Sequence, residues 1–162
     1  MESARKAVII GVISDTHGLL RPEAVAALAG VDHILHAGDV GDPEILDRLR
    51  RIVPVTAIRG NVDVSGICAE LPATEAVELG GRLFYLVHSV HDLDINPSVA
   101  GVSVVVSGHS HRPEISERDG VTYLNPGSAG PRRFSLPVTL AKVVLDHAQV
   151  RAQIVDLRAE KY

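Results

Sequence analysis

"KAVIIGVISDTHG" (residues 6–18) decides the fold. Its apolar, β-branched run is the pattern of a strand buried on both faces, and it breaks at once into Asp15, Thr16 and His17. The next segments repeat the theme. "RPEAVAALA" (21–29) opens with a proline and continues in helix formers, so it predicts a helix. "VDHILHAG" (31–38) predicts a second strand. "DPEILDRLRR" (42–51) predicts a second helix, with Asp42 as N-cap and Pro43 at the first helical position. "VPVTAIRG" (53–60) predicts a third strand. Strand and helix alternating in this way imply a parallel sheet with right-handed crossovers.

The second half changes character. "EAVELGGRLFYLVH" (75–88) predicts a hairpin around Gly80-Gly81. "DLDINPSVAG" (92–101) predicts a connector with one helical turn, and "VSVVVSG" (102–108) a strand. "PEISERDGVTYLN" (113–125) predicts a hairpin turning at Asp119-Gly120. "PVTLAKVVLDHAQVRAQIVDL" (137–157) predicts another, turning near Asp146-His147. No linker, repeat or low-complexity segment interrupts the chain. The expectation is one α/β domain over residues 1–162, parallel in its first half and antiparallel in its second.

Composition narrows the function. The 162 residues are 46% hydrophobic and 22% charged, as in an ordinary globular domain with a core of its own. The net charge of −4 and the absence of a basic run argue against a broad nucleic-acid-binding surface. The few aromatics, with no Trp, argue against base-stacking platforms. Cys68 is the only cysteine, which excludes an internal disulfide and fits a reducing compartment. Arg5 and Lys6 before "AVIIGVI" imitate a signal peptide, but the run is short and lacks a cleavage pattern. No stretch is long enough to span a bilayer. A cytoplasmic protein is expected, and a homo-oligomer is compatible with the patterning.

The unusual polar residues share one position: each follows an apolar strand. They are Asp15 and His17, Asp39, Asn61, His88, and His109 with His111. A lone Asp after a strand is ordinarily a cap or turn residue, and a lone His ordinarily lies on the surface or is satisfied in a core. His33, His36, His91 and His147 are read that way. Seven ligand-type residues at five strand ends are a different matter, because ligands of open α/β sheets bind outside the carboxyl ends of the strands. Two carboxylates, one amide and four imidazoles are too many for one tetrahedral ion and suit two that share a ligand. Mixed oxygen and imidazole donors suit Mn, Fe, Co, Ni or Zn better than Mg or Ca. Paired metals recur in phosphatases and nucleases.

The series "DTH" (15–17), "GD" (38–39), "GN" (60–61), His88 and "GHSH" (108–111) resembles the calcineurin-like metallophosphoesterases. "GHSHRPEISERDGVTYLNPGSAGPRR" (108–133) resembles their small prokaryotic, YfcE-type phosphodiesterase branch. The resemblance implies two packed mixed sheets flanked by helices, a four-layer α/β/β/α sandwich. It implies that Asp15, His17 and His111 hold one divalent metal, that Asn61, His88 and His109 hold a second, and that Asp39 bridges them. Manganese is the expected metal, and a small phosphate ester the expected substrate. The implied reaction is hydrolysis of a phosphodiester by a hydroxide that the two metals activate, with Asp39, Asn61 and His88 as the catalytic set. Gly108 is expected to allow the tight turn that lets one loop serve both metals.

Two departures stand out. Many relatives have His directly after the motif Asn, whereas this chain has Val62, which implies a preference for activated leaving groups. Ser89 replaces the usual Gly after His88. Arg59 is a candidate for contact with substrate phosphate or for a surface ion pair, and Arg132 and Arg133 are weaker candidates. Asn125, in "NPGS", is a candidate support for the site, and Asp63 either orients a ligand or caps a turn. Cys68 is read as a small buried hydrophobe. The alternative function is that of a catalytically weak, metal-bound scaffold or regulator, like the small retromer subunit of the same fold.

Overall fold

The computed structural model describes residues 7–146 and 149–158. The opening run forms β1 (Val8–Ile13), and α1 (Pro22–Ala27), β2 (His33–His36), α2 (Pro43–Arg50) and β3 (Val55–Ala57) follow as the alternation predicts. β1 pairs with β2, and β2 with β3, all in parallel. Asp42 caps α2 by accepting from the Glu44 N–H at 2.9 Å, and Pro43 occupies a position where no N–H is needed.

The rest of the chain forms β4 (Thr74–Leu79), β5 (Arg82–Val87), α3 (Pro97–Ala100), β6 (Val102–Val106), β7 (Glu114–Arg118), β8 (Val121–Asn125), β9 (Thr139–Leu145) and β10 (Val150–Asp156). The expected hairpins β4–β5, β7–β8 and β9–β10 are all present. Asp119 and Gly120 both take the left-handed conformation that a tight hairpin turn requires. His147, in the third expected turn, lies outside the described residues.

The expectation of an antiparallel second half is overturned. β9 and β10 leave their sequence neighbours and extend the first sheet, in the order β10-β9-β1-β2-β3, with β9 antiparallel to β1. The second sheet runs β4-β5-β6-β8-β7, and β6 is parallel to both β5 and β8. The reason lies in β6: four of its five residues are buried, so it must be central, and the α3 crossover brings it in parallel to β5. Both sheets are therefore mixed.

Three apolar layers hold the sandwich together. Ala24, Leu28, Leu46 and Leu49 of α1, α2 and the turn after α1 pack on one face of the first sheet. Ile10, Val12 and Leu35 meet Phe84, Leu86, Val104 and Val106 between the sheets. Val102, Val105 and Val121 cover the outer face of the second sheet with Leu93 and Ile95 from the α3 connector. Truncating Phe84, which is fully buried between the sheets, to Ala costs about 3–5 kcal/mol. No helix among the described residues is long and apolar enough to cross a membrane.

Candidate metal centre

The C-terminal ends of β1, β2, β3, β5 and β6 deliver the polar residues singled out above. The loops after β1 and β2 continue the strand pairing: the Asp15, His17 and Gly18 N–H groups donate to the Gly38, Asp39 and Val40 carbonyls at 2.9–3.0 Å. The loop after β6 is tied to the one after β5 by the Gly108 N–H, which donates to the His88 carbonyl at 2.8 Å. It is tied to the first sheet by the His109 N–H, which donates to Asp15 Oδ2 at 3.1 Å.

Backbone strain concentrates here. Seven described non-glycine residues have positive φ, and five of them are Asp15 (56°), His17 (46°), Asp39 (58°), His109 (72°) and His111 (63°). Each costs roughly 1–2 kcal/mol, and the surrounding hydrogen bonds and packing hold it there.

Both carboxylates are half committed and half free. Asp15 Oδ2 accepts from the Ser14 hydroxyl at 2.7 Å and from His109 N–H, while Oδ1 has no hydrogen-bond donor. Asp15 Oδ1 lies 3.7, 3.9 and 3.5 Å from Nε2 of His17, His88 and His111. Asp39 Oδ1 accepts from the Val62 N–H at 3.0 Å, and its Oδ2 lies 3.5 and 3.2 Å from Nε2 of His17 and His88. His88 Nδ1 donates to the Ala37 carbonyl at 2.7 Å, which turns Nε2 toward the carboxylates.

The donor set fits bound cations. Asp15 Oδ1, His17 Nε2, His88 Nε2 and His111 Nδ1 are buried without hydrogen-bond partners, an arrangement that is costly unless something else satisfies it. Separations of 3.2–3.9 Å are long for hydrogen bonds. They are close to the roughly 3.4 Å between two atoms that each lie about 2.1 Å from one tetrahedral ion. Two groups of potential ligands emerge, Asp15-His17-His111 and Asp15-Asp39-His88, with Asp15 common to both. His109 and Asn61 stand at the open side: both are exposed, and the His109 ring meets that of His88 edge-on at 5.3 Å.

The charges reinforce one another. Burial raises the Asp15 carboxyl pKa, but His111, His17, the Ser14 hydroxyl and His88 together hold it far below the ordinary carboxylate range. Burial also opposes ionisation of Asp39, yet His88 and the Val62 N–H hold it low. Burial lowers His88, but Asp39, the Ala37 carbonyl and Asp15 outweigh that and raise it.

Supporting residues complete the picture. Asp63 is buried, and its carboxylate accepts from the backbone N–H groups of Val40, Gly41 and Gly60 at 2.9–3.1 Å, clamping the loop after β2 to the loop after β3. Asn125 donates to the Gly108 carbonyl and to Ser110 Oγ, bracing the loop that carries His109 and His111. The role expected for Gly108 is corrected: it is absent from the positive-φ glycines, and a Cβ there would lie 2.1 Å from Ser14 Oγ and 2.6 Å from Asp15 Oδ2. Its smallness makes room for the carboxylate rather than for a turn. Ser14 and Ser128 were not singled out from sequence; the Ser128 hydroxyl donates to the Asp15 carbonyl at 3.0 Å. The one local signal for Ser14 is a hydroxyl closing an apolar strand just before Asp15.

Other candidates are placed plainly. The Arg59 guanidinium donates to the Leu71 carbonyl instead of making an ion pair, and Arg132 and Arg133 are exposed in the loop after Gly130. His36 is a satisfied core histidine: the Gly38 N–H donates to Nδ1, and Nε2 meets Thr16 Oγ1 at 3.0 Å. Cys68 is buried among apolar neighbours.

Comparison with known proteins accords with this geometry. The family model for the calcineurin-like phosphoesterase superfamily domain matches residues 8–148. A probable metallophosphoesterase of Methanothermobacter thermautotrophicus is 35% identical over 161 residues, covering 91% of this chain and 92% of its own. A conserved protein of Streptococcus pneumoniae, a predicted phosphoesterase, superposes with a TM-score of 0.75 at 27% identity, over 95% of this chain and 92% of that one. Vps29 of Entamoeba histolytica, solved in complex with zinc, has a TM-score of 0.68 at 21% identity over 93% and 99% of the two chains, a likeness of fold. With the family's domain matched from β1 to the last hairpin and a relative aligned along nine-tenths of its length, the chain belongs to the calcineurin-like phosphoesterase superfamily.

Proposed function

We propose that the protein is a phosphodiesterase that works with two divalent cations, manganese being the expected one. The observation that carries this reading is that two free carboxylate oxygens, Asp15 Oδ1 and Asp39 Oδ2, face the buried, unpartnered Nε2 atoms of His17 and His88, with His111 Nε2 3.5 Å from Asp15 Oδ1. Asp15, His17 and His111 would hold one cation, Asn61, His88 and His109 the other, and Asp39 both. Bound there, the cations supply Lewis-acid activation of the phosphoryl group and of the attacking water. Two divalent ions against two carboxylates leave the site net positive, which suits an anionic ester.

The chain's own groups set the terms of the reaction. Anchoring Oδ1 of Asp39 on the Val62 N–H leaves Oδ2 free to face His17 and His88. The Ala37 carbonyl fixes the His88 tautomer with Nε2 presented inward. Position 62 contributes its backbone to Asp39, while its exposed apolar side chain has no proton to give a leaving group. That favours esters with activated leaving groups over ordinary alkyl monoesters. The retained donors favour an enzyme over a scaffold.

The test is hydrolysis of bis(p-nitrophenyl) phosphate by chelator-stripped protein titrated with Mn²⁺, beside p-nitrophenyl phosphate and the Asp39→Ala variant. The expected result is metal-dependent diester cleavage that exceeds monoester cleavage and is lost in the variant together with metal binding. Tight metal binding without turnover under any divalent ion would favour the scaffold reading.

A further inference from the structure

A groove of about 340 Å³ on the outer face of the second sheet begins at the metal centre, where Ser89 and His109 line it. Tyr123 of β8 also lines it, and β7 adds Glu114, Ser116 and Arg118, alternate residues that share one face of the strand. Ser116 pairs directly opposite Tyr123. Two arginines line the groove: Arg112, just after His111, and Arg118, whose Cζ sits 4.3 Å from the Tyr123 ring centre.

Neither arginine is paired with a carboxylate among the described residues, and Arg118 lies over the Tyr123 ring. Among the described residues the arginines that hold a carboxylate are Arg50 and Arg151, both elsewhere. Glu114 is the one acid lining the groove, outnumbered by Arg112 and Arg118, and His91 lines it too. Two arginines against one glutamate leave the groove net positive on a chain of net charge −4, which favours an anion there. Guanidinium forks match phosphate oxygens in geometry as well as charge. The volume is that of a small-molecule site.

We propose that the groove binds a second phosphate on one arm of the substrate, making the preferred substrate a phosphodiester with an additional phosphate on one of its arms. This rests on the diesterase reading above. The scissile group lies at the metal centre, and the charged arm runs past His109 between Arg112 and Arg118.

The experiment uses manganese-loaded protein and two esters: the p-nitrophenyl ester of thymidine 5′-phosphate, and the same ester carrying a free 3′-phosphate. The wild type is expected to favour the phosphorylated ester by about tenfold in kcat/KM, through KM, and the Arg112→Gln/Arg118→Gln double variant to lose that preference. Arg118→Lys, which keeps the charge, should retain most of it. In parallel, calorimetry with thymidine 3′,5′-bisphosphate and chelator-stripped protein should show binding that weakens about tenfold in the double variant. Equal use of both esters by the wild type, or bisphosphate binding unchanged by the double variant, overturns the groove assignment and leaves the diesterase reading intact. Failure to cleave either ester or bis(p-nitrophenyl) phosphate overturns the diesterase reading instead, and the calorimetry then decides the groove alone.

Discussion

The two sheets make unequal contributions to one site. The first supplies both carboxylates, Asp15 and Asp39, with His17 and Asn61; the second supplies His88, His109 and His111 and no acid. Their supports differ in the same way. The loops of the first sheet are clamped by a buried carboxylate, Asp63, through three backbone N–H groups, whereas the loop carrying His109 and His111 is braced by a neutral amide, Asn125. The difference teaches that the electrostatic hold on a cation is concentrated in the first sheet. The second adds neutral nitrogen donors and the open side where His109 meets the groove.

Removing a charge should therefore cost far more than removing an imidazole. Asp15→Asn is expected to weaken Mn²⁺ binding by at least about a hundredfold, and His109→Gln by about tenfold, both read by calorimetry. Equal losses would break the comparison.

The supports come next. Asp63→Asn keeps the shape but cannot serve three N–H donors as a carboxylate does, and it should weaken Mn²⁺ binding about 10–100-fold. Asn125→Ala, which frees the Gly108 carbonyl and Ser110, should cost about tenfold. If Asn125→Ala proved the more damaging, the second sheet would be the organising half.

The sheets also hold their buried histidines in opposite states. Burial pushes His36 of β2 down to about 4, and its Nδ1 already accepts from Gly38 N–H, leaving no place for a second proton. The folded form thus binds this proton less readily than the unfolded chain. Stability from His36 is fully present above the ordinary value of 6.5, falls as the pH drops through 6.5, and is gone near 4, about 3 kcal/mol in all. Urea titrations of chelator-stripped protein between pH 4 and 7 should show this slope, and His36→Gln should flatten it. An unchanged slope would mean that His36 takes up its proton in the folded state.

Much of this was legible in the sequence because it is local. Asp42-Pro43, Gly80-Gly81 and Asp119-Gly120 announce their own caps and turns, and each ligand residue follows a run whose burial is written in its apolar pattern. What was hidden depends on distant partners. "VSVVV" reads the same whether its neighbours are parallel or antiparallel, so the pairing of β6 with β5 and β8 had no local mark. Asp63 read equally as a ligand-orienting or a turn-capping residue because two of its three partners, Val40 and Gly41, lie more than twenty positions away. The left-handed backbone of Asp15, His17, Asp39, His109 and His111 was equally silent, because residues other than glycine give no sign of it.

The smallest expected effect sharpens the comparison from the other side. His88, on the second sheet, is raised above its ordinary value: burial opposes the charge, but Asp39, the Ala37 carbonyl and Asp15 prevail. At pH 7 the metal-free protein therefore carries part of a proton on His88, and a cation that takes Nε2 must expel it. Calorimetry of Mn²⁺ binding in two buffers of different ionisation enthalpy should register proton release at pH 7 that shrinks as the pH rises, and His88→Asn should reduce it. His36 contributes nothing to that count, being already neutral. Manganese uptake without proton release would mean that the carboxylates of the first sheet do not reach His88 electrostatically, and the two halves would then be neighbours rather than one site.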